Sequence, residues 1–143
     1  MTLSILILIN LVWTFYSVTE GSREGFYWHY ENLSKRVCDF DVNKIYNIQR
    51  FVVWNLFMIL LYFILGGISL FISLCLFLQF SYFHNGTYYY TRNKLGGRVY
   101  DKGWKDESKT FPPFTPLMKY SKRTSALIIG IISQIFIYLY LLN

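Results

Sequence analysis

Charge is what the middle of this chain lacks. From Phe51 to Phe83, 33 residues pass without Asp, Glu, Lys, Arg or His. Cysteine and proline are also scarce, with two and three in 143 residues. Cys38 stands in a polar stretch and Cys75 inside the apolar run, a placement that makes neither a disulfide framework nor a metal-binding spacing. No Lys or Arg precedes the first apolar stretch, and Ser17-Val18-Thr19-Glu20 is a poor cleavage site, which argues against a secretory signal and for an uncleaved first span. No nucleophile elbow, metal motif or phosphate loop occurs. The sequence therefore assigns no catalytic residue, metal ligand or cofactor.

What is present is apolar and aromatic, 54% and 21% of residues. It gathers in three blocks: Leu3–Val18, Phe51–Phe83 and Ser125–Leu142. In hydrocarbon only helices and closed barrels satisfy their own backbone groups, and barrel strands would alternate polar with apolar residues. These blocks do not alternate. The expected fold is an all-α membrane protein, one membrane domain over 1–143. Its three transmembrane helices lie at about 3–19, 51–80 and 122–142, with loops at 20–50 and 81–121; the central span is long and the second loop basic and partly helical.

The central block poses the main question. As one helix it would reach about 50 Å, against a hydrocarbon core of about 30 Å. It either crosses once and protrudes, or breaks at Gly66-Gly67. Loop charge favours the break. Glu20–Arg50 holds five basic and five acidic residues and His84–Thr124 nine and three, so a turn would put all 14 basic residues on one side, as basic residues near span ends prefer. Backbone cost opposes it. The arms would be only 15 or 16 residues with no polar turn between them, and unpaired backbone in lipid costs several kcal/mol, against about 1 kcal/mol per misplaced loop charge. The expectation is a single long crossing, with the N-terminus and the loop 84–124 cytoplasmic and 20–50 outside.

Small residues mark where helices should meet. Gly66, Ser69 and Ser73 share one helical face, as do Ala126, Gly130 and Ser133, and such stripes let backbones approach closely in lipid. The second and third spans are expected to pack through them, with Gln134 a partner for Asn10 or Asn55. After the first span, Glu20, Glu24 and Glu31 form a stripe on a juxtamembrane helix that Gly21 and Gly25 weaken. Asp41 reads as the N-cap of the second helix and Thr115-Pro116 as the start of the last. The segment from Asn85 reads as an interfacial helix capped by Asn85 and ended by Gly96-Gly97. Its basic residues suit anionic lipid; nucleic acid is not expected. Phe111 to Pro116 could serve as a docking peptide.

The stretches Glu20–Tyr30, Asn47–Trp54 and Ser81–Leu95 resemble segments of small integral membrane proteins of Bacteroidota and their phages. The resemblance implies a bacterial inner-membrane setting, with no activity attached. If such proteins have a polar site, the matching positions are Glu20, Arg23, Glu24, His29, His84 and Arg92. The chain is also similar in size, aromatic content and span number to colicin-type immunity proteins, with no shared motif. The functional expectation is a non-enzymatic accessory, immunity or exclusion protein that works on a membrane-protein partner or as a homo-oligomer. The alternatives are a pore-forming or holin-like oligomer and, further off, a membrane enzyme. An enzyme would gain weight only if the central block turned back and brought the histidine-bearing loops to one side.

Overall fold

The computed structural model describes residues 2–34, 42–96, 103–105 and 119–142. Asp41, Cys38, Thr115-Pro116 and the 111–116 peptide lie outside them, as does the side chain of Glu31. Among the described residues four α-helices are formed: α1 (Leu3–Ser34), α2 (Val42–Leu65), α3 (Ser69–Leu95) and α4 (Tyr120–Leu142). No strand occurs among the described residues. Three helical stretches are long and apolar enough to cross a membrane: Leu3–Tyr30, Ile48–Leu95 and Tyr120–Leu141. The expected class, an all-α membrane protein with three such helices, is the one found.

The second of these stretches does not run straight. Gly66 adopts φ +63°, a left-handed conformation that side chains other than glycine pay for sterically. A three-residue 3-10 turn, Gly66–Ile68, follows, and Ser69 N–H bonds back to the Gly66 carbonyl. Beyond it α3 folds back along α2. Trp54 meets Phe77 edge to face, with centroids 5.6 Å apart. Arg50 and His84 come within 2.9 Å, where an unbroken helix would hold them about 50 Å apart. The single-crossing expectation is therefore corrected. The backbone cost on which it rested supposed a turn inside lipid, whereas this tip is open at the end of the bundle: a Cβ on Gly66 or Gly67 would have nothing within 4 Å, so the unpaired groups at the two helix ends are exposed rather than buried. Gly66 is thus the turn itself and not part of a packing face.

α1 and α3 lie side by side and parallel. Leu6, Ile9, Leu61, Ile72 and Leu76 share one core with Trp13. Further along, Gly21 meets the His84 carbonyl and Gly25 the Tyr88 carbonyl. A Cβ on Gly21 would stand 2.3 Å from that oxygen and one on Gly25 2.8 Å. With Ser17, fully buried, they form a stripe at four-residue spacing that lets two backbones touch. This is why α1 runs unbroken through two glycines: the contact with α3 requires what local propensity disfavours. α3 likewise continues through Asn85 to Leu95 without a fresh start, so Asn85 is a mid-helix residue and not a cap, and Gly96 closes the helix by bonding to the Arg92 carbonyl.

α4 packs against the other side of α3 and runs antiparallel to it. Gly130 sits on the Cys75 carbonyl, where a Cβ would come within 2.6 Å, and beside Leu78 and Gln79. Ala126 and Gln134 are buried and Ser133 half-buried. Ser69 and Ser73 are buried in α3, with Ser73 Oγ donating to the Ser69 carbonyl 2.7 Å away. Asn10 satisfies its amide N–H on the Leu6 carbonyl and Asn55 on that of Phe51; Asn55 is exposed on α2 while Gln134 is buried in α4, so these two do not pair. The start of α1, the Gly66 tip and the end of α4 lie at one end of the bundle. The segments joining α1 to α2 and α3 to α4 leave from the other. The start of α1 and the end of α3 therefore lie at opposite ends of the bundle.

Candidate functional site

The hairpin brings three helices to one polar layer. Above it, toward the tip, Trp13 fills the space between α1, α2 and α3. Its Nε1 donates to the Leu76 carbonyl at 2.8 Å. Its rings stack on Phe57 at 5.0 Å and meet Trp54 edge-on at 5.1 Å, with Tyr16 and Phe80 at 5.3 and 5.8 Å. In lipid such packing is favoured by dispersion between close-fitting rings, since there is no water to expel.

Below this aromatic floor the charges collect. Glu20, 3% exposed, follows the apolar part of α1; Arg50 precedes that of α2; His84 follows that of α3. One helical turn beyond Glu20, Glu24 offers Oε2 to two partners at once. His84 Nε2 lies 3.0 Å from it, and Arg50 Nη2 makes a short charge-assisted hydrogen bond to it. Arg50 Nε also lies 3.5 Å from Glu20 Oε1, and Arg23 Nη2 lies 2.8 Å from Glu20 Oε2. Arg23 donates further to Gln49 Oε1 at 2.9 Å. Two carboxylates thus face two guanidiniums, and the layer is neutral when the imidazole is.

His84 is fixed on every side. Its ring stacks on Phe80, with centroids 4.8 Å apart and planes 18° apart. Asn85 Nδ2 donates to Ser81 Oγ at 3.1 Å, which turns Asn85 Oδ1 toward His84 Nδ1, also at 3.1 Å. That oxygen can only accept, so Nδ1 carries the proton. Nε2 then accepts from Arg50 in the neutral ring, or donates to Glu24 when the ring is charged.

Of the six positions singled out in the sequence, Glu20, Arg23, Glu24 and His84 meet. Arg92 lies two turns beyond His84, with Nη1 bonded to the Tyr88 hydroxyl at 3.3 Å and its guanidinium near the Tyr88 and Tyr89 rings, at 5.4 and 5.5 Å. It borders the layer without entering it. His29 stands apart, its ring against Tyr30. Arg50 was not singled out, although it is the hub. The signal was available: each apolar run ends in an ionisable residue, Glu20, Arg50, His84 and Arg123, and helices packed in register must bring such ends to one depth.

Arg123 forms a second polar point between α3 and α4. It is fully buried, so it is a core residue and not only a charge at the span end. Its Nη2 donates to the Trp104 carbonyl at 3.1 Å, and its guanidinium faces the rings of Tyr89 and Tyr120. The Trp104 indole lies on Gly86, where any side chain would collide with it. No group of three or more His, Cys, Asp or Glu side chains suited to a metal occurs among the described residues.

No protein-family model, curated protein or solved structure matches this chain. Function must be argued from the bundle alone.

Proposed function

We propose that this chain is a non-catalytic interaction protein of a bacterial inner membrane, of the accessory or immunity/exclusion kind. The observation that carries the reading is the closure of its polar layer. Each carboxylate of that layer has a guanidinium and both His84 nitrogens are engaged. Such a layer is suited to locking α1 against the hairpin: Glu20 Oε1, which makes no hydrogen bond, is buried and faces Arg50 Nε at 3.5 Å rather than an open cleft. Buried ionic groups of this kind fix which helices pair and in what register. The turn at Gly66 brings the loops to one side, which is the condition an enzyme would need, but His29 stays outside the cluster.

In this proposal the loop end is cytoplasmic and both chain termini lie on the far side, which places the basic residues where the charge rule wants them. Lys94, Lys105, Lys119 and Lys122 are exposed at that end, two of them over tyrosine rings, Lys94 on Tyr90 and Lys105 on Tyr120. Anionic lipid headgroups are the partner this chemistry suits. Among the described side chains, the outward faces of α2 and α4 carry Phe, Ile and Leu and no charged stripe of the kind a water-filled pore needs. The test is affinity recovery from bacterial membranes in mild detergent. A membrane-protein partner at fixed stoichiometry is expected. Repeated recovery of the chain with no other protein, or dye release from proteoliposomes, would overturn the reading.

A further inference from the structure

The outer face of α2 holds one residue that does not belong in lipid. Asn55 is exposed on it. Its neighbours on that face, Phe51, Val52, Ile59 and Tyr62, at positions −4, −3, +4 and +7, are all exposed and apolar or aromatic. Asn55 donates one amide hydrogen to the Phe51 carbonyl at 2.7 Å. That leaves a second N–H and the carbonyl oxygen facing outward. It stands five residues from Arg50 toward the tip, about 7 Å deeper than the charged layer. In the orientation proposed above this depth lies within the hydrocarbon, where a helix bearing a matching group gains by pairing with the carboxamide.

We infer that α2 is the contact between two copies of this chain, joined by reciprocal Asn55 hydrogen bonds. A carboxamide is donor and acceptor together, so it complements itself. All copies insert the same way round, so a two-fold axis along the membrane normal brings Asn55 of one copy to the same depth as Asn55 of its partner. A second copy is thus the one partner certain to present the required group at the required level. The flanking Phe51, Val52, Ile59 and Tyr62 then pack across the axis. This goes beyond the function proposed above, which concerns a different protein as partner.

The test is disulfide cross-linking in membranes, in a background with Cys38→Ser. Val52→Cys and Ile59→Cys, beside Asn55, should give a cross-linked dimer, and Ile132→Cys, exposed on α4, should not. Adding Asn55→Leu should lower the cross-linked fraction several-fold, while Asn55→Gln should keep most of it. Asn55→Leu should leave thermal unfolding of the detergent-solubilised monomer unchanged, since the side chain contacts only its own helix. Equal cross-linking at Ile132→Cys, or no loss with Asn55→Leu, overturns the inference. Recovery of a different membrane protein that Asn55→Leu abolishes, with no cross-link between copies, also overturns it and leaves the interaction reading standing.

Discussion

Arg50 shows what a buried charge does at the scale of one residue. It bonds Glu24, lies 3.5 Å from Glu20 and reaches His84, so its removal leaves Glu24 with His84 alone and Glu20 with Arg23 alone in a layer where Glu20 is almost wholly covered. Breaking a buried pair from one side typically costs about 3 to 5 kcal/mol. Arg50→Ala is therefore expected to lower the thermal unfolding midpoint in detergent sharply. Arg23 is 47% exposed, but at 2.8 Å it is the nearer guanidinium of Glu20, which is 3% exposed, so Arg23→Ala should also lower the midpoint, by less than Arg50→Ala because Arg50 still lies 3.5 Å from Glu20. An unchanged midpoint with Arg50→Ala would mean that the layer does not hold the fold. Gly21 makes the same point through space. Gly21→Ala would drive a methyl into the His84 carbonyl, and overpacking of this kind costs about 1 to 3 kcal/mol. The same substitution in an isolated helix would be favourable, so a drop in stability with Gly21→Ala isolates the α1–α3 contact. Arg50 and the Ser17-Gly21-Gly25 stripe were both readable in principle. They were missed because the sequence was judged by local propensity, and their roles are set by the neighbouring helix.

At the scale of elements, the hairpin depends on one backbone angle. Gly66 takes a left-handed φ and Gly67 does not, though both tip positions are open. Gly66→Ala should destabilise by about 1 to 2 kcal/mol, whereas Gly67→Ala should be close to neutral, and calorimetry or thermal scans of the two variants separate them. If Gly66 served as a packing face, a larger residue there would weaken the α3–α4 contact. Instead that effect belongs to Gly130: Gly130→Leu should loosen α4 from α3, seen as increased proteolysis of the 97–119 connection. The helices themselves were legible from three charge-free blocks. The fold of the middle block was not, because two rules gave opposite answers. Loop charge pointed to the turn. The backbone argument set the unpaired groups of a turn inside lipid, and the Gly66–Ile68 turn instead exposes them at the end of the bundle. The arms also looked too short because they were counted only where apolar; as helices α2 and α3 run 24 and 27 residues, well past the charge-free run.

For the whole molecule the turn decides sidedness, and with it what the polar layer can face. Arg50 to Gly66 is 16 residues, about 24 Å of helix, and Glu20 to Leu3 is 17 residues, about 26 Å. The apolar part of each helix is thus slightly shorter than a hydrocarbon core of about 30 Å is thick. In the orientation proposed above, the Gly66 tip and the start of α1 face the far boundary and the charged layer the near one, beside the basic end. Single cysteines at Tyr30 and Lys94, exposed near the ends of α1 and α3, should then react with a membrane-impermeant maleimide from one and the same side of the membrane, in a background with Cys38→Ser. A cysteine at Gly67 should react from the opposite side or remain protected. A straight central helix would instead place Tyr30 and Lys94 on opposite sides, so labelling of the two from different faces would refute the hairpin. The same result would separate Arg50 from His84 and dissolve the polar layer. Sidedness and site therefore stand or fall together, because the one turn at Gly66 creates both.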